Sequence, residues 1–331
     1  MNRRTAGEEL SCLMEYSSIA GFDMSESDLI AMTRQELLNE GILSRLVPIS
    51  RLEEVKAEIM GVLSSMTDQG LIKYINACFD LQLEKAISDP KSVLIMGLSS
   101  PKVCFRFANG GRTVDAIVPP TYLDYTSTKA KIESILGKTL GANNRKYGSL
   151  QIPAKLLAVR SGLAEYGRNN ITYVGDFGSH VRLSVYATDV PVWEHEWHEK
   201  KMMNSCESCE ICLRNCPTGA IDKSRFLLRA ERCLTLINEE ETEIPGWVDS
   251  SWHNCLVGCL RCQDVCPANH KVSKQYAEGI SFSDDETEIL KRTTRLEDLQ
   301  GELREKVDSS GLSNVYPVLP RNIVLLLNRR S

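Results

Sequence analysis

The cysteines between Cys206 and Cys266 constrain this chain more than any other feature. One run reads Cys206-x-x-Cys209-x-x-Cys212-x-x-x-Cys216-Pro217. A second reads Cys259-x-x-Cys262-x-x-x-Cys266-Pro267, with Cys255 just upstream and Cys233 between the two. Three thiolates at x-x intervals wrap one four-iron cubane, and a fourth, turned away by a proline, reaches across to another. Zinc knuckles built from Cys-x-x-Cys units are the rival reading, but zinc requires neither three cysteines in a row at that spacing nor a Cys-Pro step closing each run. The pattern predicts two [4Fe–4S] clusters and one-electron chemistry. Two clusters need eight thiolates, and this region offers nine. Cys206, Cys209 and Cys212 pair with Cys266. Cys216, Cys259 and Cys262 need either Cys233 or Cys255, and spacing does not choose between them.

Composition supports metal over disulfides. Of 12 cysteines, nine lie in this one stretch at metal-type spacing, which suits a reduced, cytoplasmic protein. Cys12, Cys78 and Cys104 stand alone in apolar contexts and read as buried core thiols. A chain of 331 residues with 42% hydrophobic content can build more than one core, and a net charge of −5 argues against a generally basic nucleic-acid binder. No apolar run is long enough to span a bilayer. Arg3-Arg4 is followed by Thr5-Ala6-Gly7-Glu8-Glu9, where an export signal would need an apolar stretch.

Periodicity divides the chain into four segments. Residues 1–88 read as helical, with Ser50-Arg-Leu-Glu53 in the form of a capping box ahead of Leu52, Val55, Ile59 and Val62. Residues 89–192 read as an α+β domain. It has strands at Val93–Gly97 and Thr113–Val118, a helix over Thr128–Leu140 and a short helix opened by Pro153. Ile171–Val174 and Val181–Ala187 form a hairpin through Asp176–Ser179. Its least regular part, residues 160–180, is the place for a ligand. Residues 193–280 carry the clusters, and His195 and His198 lack a matching cysteine pair, so they are not read as metal ligands. Residues 281–331 are helical, charged over Phe282–Asp308 and apolar over Ile323–Leu327.

The run Cys206–Ile221, Arg232-Cys233-Leu234, and Gly258-Cys259-x-x-Cys262-Gln263-x-x-Cys266-Pro267-x-Asn269 together resemble the electron-transfer domain of the epoxyqueuosine reductases, relatives of the reductive dehalogenases. Ala158-Val-Arg160-Ser-Gly162-Leu163, Tyr166-Gly167-Arg168-Asn169 and Gly178-Ser179 resemble the same family's glycine-rich segment, in the same order. The resemblance implies a nitroreductase-like corrinoid-binding domain followed by a ferredoxin-like double-cluster domain. It implies cobalamin held near Arg160, Gly162, Gly167, Arg168, Asn169, Gly178 and Ser179. It also implies Cys233 as the eighth ligand, with Cys255 spare, and a low-potential donor of ferredoxin or flavodoxin type as partner. The substrate it implies is an organic one, such as an epoxide on a tRNA base.

The chain departs from that pattern in one respect that matters for chemistry. The family carries an aspartate, proposed as proton donor, about twelve residues before the arginine matching Arg160. Here Tyr147-Gly-Ser-Leu-Gln151 has no carboxylate, and Asp124-Tyr125-Thr126 keeps two residues of an Asp-Tyr-His triplet. Asp124 and Tyr125 are therefore the candidate catalytic residues, since general acid catalysis needs a titratable group within hydrogen-bond reach. The alternatives are a non-catalytic electron-transfer protein and a flavin-dependent relative. Lys223, Arg225, Arg229 and Arg232 form a thin basic surface near the clusters.

Overall fold

The structure, a computed structural model, describes residues 24–67, 72, 75–76, 86–224 and 226–328. Cys12, Cys78, Arg225 and much of the segment expected to be helical before residue 88 lie outside them.

The organising strand is β2, Ser92–Ser99, whose first six residues are all buried. Side chains alternate across a strand, so an apolar run hidden throughout must be covered on both faces. Val93 and Ile95 point into one core with Leu52, Val55, Leu156, Leu157 and Val159. Leu94 and Met96 point into another with Leu29, Leu37, Ile132, Ile135 and Leu136. The helices supplying these residues are α1 (Glu26–Asn39), α2 (Arg51–Ser64), α3 (Tyr125–Thr139) and α4 (Ala154–Arg160). The sheet runs β1-β2-β8-β5, all antiparallel, where β1 is Ile42–Pro48, β5 is Tyr147–Ser149 and β8 is Val181–Thr188.

A second sheet crosses the sequence. Strands β3 (Lys102–Asn109) and β4 (Arg112–Val118) form a hairpin closed by Gly110 and Gly111, both at positive φ (62° and 81°) as a two-residue primed turn requires. Strand β9, Tyr276–Phe282, lies parallel to β3. Phe107 stacks on Phe282 with ring centroids 4.8 Å apart. Their core continues through Leu256 and Val257 to Leu290 of α8 (Asp284–Arg292), Val307 of α9 (Gly301–Ser309) and Ile323 of α10 (Leu319–Leu327). The hairpin, the end of the cysteine region and the C-terminal helices thus share one core. The architecture is mixed α+β.

Several local expectations change. Residues 42–48 are an edge strand, not helix, because pairing with β2 satisfies their backbone. Ser50 precedes α2 but makes no side-chain cap. Its φ of −59° and ψ of −24° are already helical, whereas a capping side chain needs an extended backbone. The capping box sits instead at Ser283 and Glu286. Ile171–Val174 and Val181–Ala187 do not form a hairpin with each other. Strand β7 (Thr172–Tyr173) pairs with β6 (Glu165–Tyr166), and β8 turns away into the first sheet through Gly178 at φ 54°. Phe282–Asp308 contains the end of β9 and two helices with a break between them, not one helix.

Candidate functional site

The ribbon β6–β7 is where the cysteine region meets the α+β fold. Tyr166 bridges to Met202, and its carbonyl accepts from the Met203 amide at 2.8 Å, laying the chain just before Cys206 along the ribbon. The tip carries Arg168, which is buried. Its guanidinium donates to the carbonyls of Cys209 (3.0 Å), Glu207 (3.3 Å) and Cys206, so one side chain fixes the first cysteine loop. A Cβ on Gly167 would lie 2.6 Å from Asn169 Oδ1 and from the Tyr173 ring, so only glycine allows this closeness. Asn169 donates to the Tyr173 hydroxyl at 2.9 Å and also faces Cys262, while Tyr173 faces Cys266.

The second cysteine run is clasped from the other side. Asn269 Oδ1 accepts from the Ser179 amide at 2.8 Å, and its Nδ2 donates to Ser179 Oγ (2.8 Å) and to the Gln263 carbonyl (2.9 Å). Ser179 Oγ also bonds Gln263 Oε1 at 2.8 Å. A Cβ on Gly178 would come within 2.3 Å of Asn269 Oδ1. Arg160 anchors a strap before the clusters. Its guanidinium donates to the His198 carbonyl at 3.1 Å, pairs with Glu199 at 3.2 Å and Glu58 at 3.5 Å, and lies 5.3 Å from the Trp197 ring centre. A Cβ on Gly162 would meet Glu196 Oε2 at 2.6 Å. His195 accepts from Arg51 at 3.1 Å, and His198 lies 3.2 Å from Glu196.

The thiols sort into two neighbourhoods. Burial raises the Cys206 and Cys212 thiols, Cys212 to about 11, and the thiols that act on them belong to one set. Cys266 and Cys209 act on Cys206, and Cys266, Cys206 and Cys209 act on Cys212. In the other set burial also leads, with Cys216 acting on Cys233, Cys233 on Cys259, and Cys259 and Cys233 on Cys262. Cys212 is also within reach of Cys262, so the two sets adjoin. Among the described residues no three His, Cys, Asp or Glu side chains close up to the spacing that a single ion needs. Cys255 lies beside the second set. It is 1% exposed, donates to Asn254 Oδ1 at 3.0 Å, and has Cys259, Asp264 and Lys102 as charged neighbours. Cys104 is buried in β3.

Several donors to sulfur lie outside the cysteine runs. The Arg168 amide serves Cys206, the amide and hydroxyl of Thr235 serve Cys233, and Asn254 Nδ2 lies 3.2 Å from Cys259 Sγ. Such bonds favour the thiolate and tune a cluster's potential. Tyr122 donates to Glu239 in the same neighbourhood, and both lie near the second set through Cys233 and Lys155.

Asp124 and Tyr125 lie at the start of α3, with Asp124 left-handed at φ 58°. Tyr125 is exposed, and its ring centre is 5.8 Å from the Arg182 guanidinium. Together with Ser149, Ile152, Ala154 and Tyr186 they border a cleft of 170 Å³. Gly148, beside it, cannot carry a side chain in this backbone, because a Cβ would lie 2.6 Å from the Ala86 carbonyl. Lys223 pairs with Glu210, Arg229 pairs with Asp222 at 3.0 Å, and Arg232 lies over the Trp247 ring, so most of the basic surface is already compensated. No described helix is long and apolar enough to cross a membrane.

Comparisons with known proteins agree with this arrangement. Residues 205–269 match the family described as the 4Fe-4S double cluster binding domain. The chain is 30% identical over 172 residues to an epoxyqueuosine reductase of Atelocyanobacterium thalassa, covering 50% of this chain and 53% of that one. It is 29% identical over 119 residues to the Bacillus subtilis enzyme, covering 36% and 30%. These matches span about half, or less, of the relatives' length. A selenomethionine-labelled epoxyqueuosine reductase superposes with a TM-score of 0.64 at 19% identity, over 92% of this chain and 82% of that one. Another, bound to an epoxyqueuosine-modified tRNA stem loop, gives 0.61 at 19% identity, over 92% and 81%. At that identity the structural likeness speaks to the fold. In sequence and fold the chain resembles the epoxyqueuosine reductases.

Proposed function

We propose that this chain is an iron–sulfur reductase of epoxyqueuosine reductase type. In this reading two [4Fe–4S] clusters are held by Cys206, Cys209, Cys212 and Cys266 and by Cys216, Cys233, Cys259 and Cys262. The observation that carries it is the sorting of eight thiols into two adjoining sets, each clasped to the α+β fold through buried polar contacts. Cys255, hydrogen-bonded to Asn254, is the spare in this reading. The nitroreductase-like and ferredoxin-like descriptions of the two halves belong to this proposal, as do the cytoplasmic location and a ferredoxin- or flavodoxin-type donor.

Cobalamin is proposed for the face beside the second set. The donor chemistry fits: Arg182, the Tyr125 hydroxyl and Lys155 are the polar groups there that suit the amides and phosphate of a corrinoid. The described cleft admits an edge of so large a ring, being smaller than the roughly 300–1,000 Å³ of ordinary ligand pockets. When bound, the corrinoid would supply a strongly reducing centre for cleaving a carbon–oxygen bond. The chain's own part is to deliver electrons singly and to hold protons. Burial raises the Glu239 carboxyl while the Tyr122 hydroxyl donates to it, so a proton can be kept next to the second set. Tyr125 borders the cleft, with Asp124 next to it in the chain, and an epoxide on a tRNA base is the proposed substrate.

A second reading has one observation in its favour. The Ala86 carbonyl occupies the place where a side chain at position 148 would begin, so the family's carboxylate cannot be accommodated there. That favours an electron-transfer protein without its own substrate turnover, or a flavin in place of the corrinoid. Anaerobic purification should yield a brown protein with about eight irons per chain that bleaches with dithionite. Titration with cob(II)alamin should then give stoichiometric retention on gel filtration. A colourless, zinc-loaded protein would sink the cluster reading. A brown protein that retains neither corrinoid nor flavin would leave the carrier.

A further inference from the structure

The loop that opens the second cysteine run, residues 253–260, is neither helix nor strand, yet its backbone is pinned by distant parts of the chain. The Leu256 amide donates to the Ile117 carbonyl at 2.8 Å. The Leu256 carbonyl accepts from Asn322 Nδ2 at 2.8 Å, and the Gly258 carbonyl accepts from Asn238 Nδ2 at 2.8 Å. Asn254 takes no part in these three bonds. Its side chain lies across the loop and meets it at both ends.

A carboxamide has two donor hydrogens and two acceptor lone pairs, and Asn254 uses all four. Its Oδ1 accepts from the Leu260 amide at 2.9 Å and from the Cys255 thiol at 3.0 Å. Its Nδ2 donates to the Trp252 carbonyl at 3.2 Å and lies 3.2 Å from Cys259 Sγ. These partners fix which end is which. With the group turned over, Oδ1 would face a carbonyl and a sulfur, and Nδ2 would face an amide hydrogen. An N–H is therefore aimed at Cys259. Thr218 Oγ1 lies 3.5 Å from Cys216 Sγ in the same set, but a hydroxyl rotates and either atom can donate there. The carboxamide has no such freedom. Cys255, 1% exposed and outside the eight ligands, holds its acceptor end.

Reducing a cluster adds negative charge, part of which falls on the sulfurs, so a donor held against a ligand sulfur favours the reduced form. We propose that Asn254 is a positioning residue for electron transfer, its amide N–H on Cys259 Sγ raising the potential of the centre held by Cys216, Cys233, Cys259 and Cys262. The three backbone bonds of the loop do not involve Asn254, so its loss should change the potential before it changes the fold. The proposal rests on the two-cluster reading above and adds which side chain tunes which centre.

The test uses the full chain, reconstituted anaerobically, with redox titration followed by electron paramagnetic resonance. Asn254→Leu removes the donor and adds no charge. Asn254→Asp keeps an acceptor oxygen for Leu260 and Cys255 and loses the donor end. In both, iron should stay near about eight per chain and one midpoint should fall. In Asn254→Leu the reduced-to-oxidised ratio at fixed potential should drop about tenfold, equivalent to about 59 mV for a one-electron couple. Asn254→Asp should fall further through its added charge. The other midpoint should hold, and the one that falls should be the one missing from Cys233→Ala. Electron–nuclear double resonance of the reduced chain should show an exchangeable proton coupled to that centre and lost in both variants. Unmoved midpoints at full iron content, equal movement of both, or a fall at the centre that survives in Cys233→Ala would overturn the proposal. Iron loss in both variants would assign Asn254 a structural role and overturn it too. If only Asn254→Leu loses iron, the proton signal in Asn254→Asp decides: its loss with a lowered midpoint supports the proposal, and its survival overturns it. Iron content in the unmodified chain separates the two levels: well below about eight irons, the cluster reading itself fails and takes this proposal with it.

Discussion

The sheet around β2 and the cysteine region are held together by different physics. The sheet is closed by two apolar cores with long regular elements on either face. The cysteine region has only short helices such as Ile211–Asn215, Leu234–Glu239 and Arg261–Asp264. It is tied to the α+β fold by polar clasps, through Arg168 on one side and Ser179–Asn269 on the other, while Leu256 and Val257 enter the core shared with the C-terminal helices. Apolar burial tolerates adjustment, whereas a buried hydrogen-bonded clasp fails when one partner is lost. The first region should therefore fold on its side chains, and the second should depend on its metal and on a few polar residues.

The largest effect tests the second region alone. Cys233→Ala should lose one cluster, about four irons, whereas Cys255→Ala should keep about eight, as iron analysis and visible absorbance would show. Equal loss in both variants would erase the distinction between the two sulfurs. Next, Leu136→Ala removes a fully buried side chain from the sheet's outer core and should cost about 2–5 kcal/mol by denaturant unfolding. If the two regions are held as described, iron per folded chain should not change.

A pH dependence probes the seam. Burial, with Lys102 nearby, pushes His180 down to about 4, and it is 2% exposed. The unfolded chain takes up this proton below the ordinary value of 6.5, while the folded chain resists until about 4. Stability should therefore fall as pH drops through that window, by at most about 3 kcal/mol, and level off below it. His180→Gln should remove that slope in thermal melts between neutral and mildly acid pH. The smallest expected change is Gly178→Ala. The left-handed backbone and the contact with Asn269 should together cost about 1–3 kcal/mol. It should appear as faster cluster loss with little change in the sheet, and an unchanged rate would mean that Asn269 simply shifts.

The legibility of the chain follows the range of the interactions. The β2 run, α3 and α4 were readable because burial on a face repeats at helical or strand period. β3 was passed over although its hairpin glycines are local, because its partner β9 lies far along the chain. The supposed hairpin after residue 171 failed for the same reason, since β8 pairs with β2 and β5 and not with its neighbour. The sequence marks Arg168, Asn169, Gly178 and Ser179 through the glycine-rich segment. The structure gives them contacts with the cysteine loops, which no local pattern announces.

By itself the sequence determined that this protein gathers thiols for two cubanes, because three ligands on one cluster lie within a single turn of chain and their spacing is a covalent fact. Choosing between Cys233 and Cys255 as neighbour to Cys216 depended on how loops of different length close in space. The same holds for the Ala86 carbonyl beside Gly148. Those are distances between residues far apart in the chain, and only the packed cores fix them.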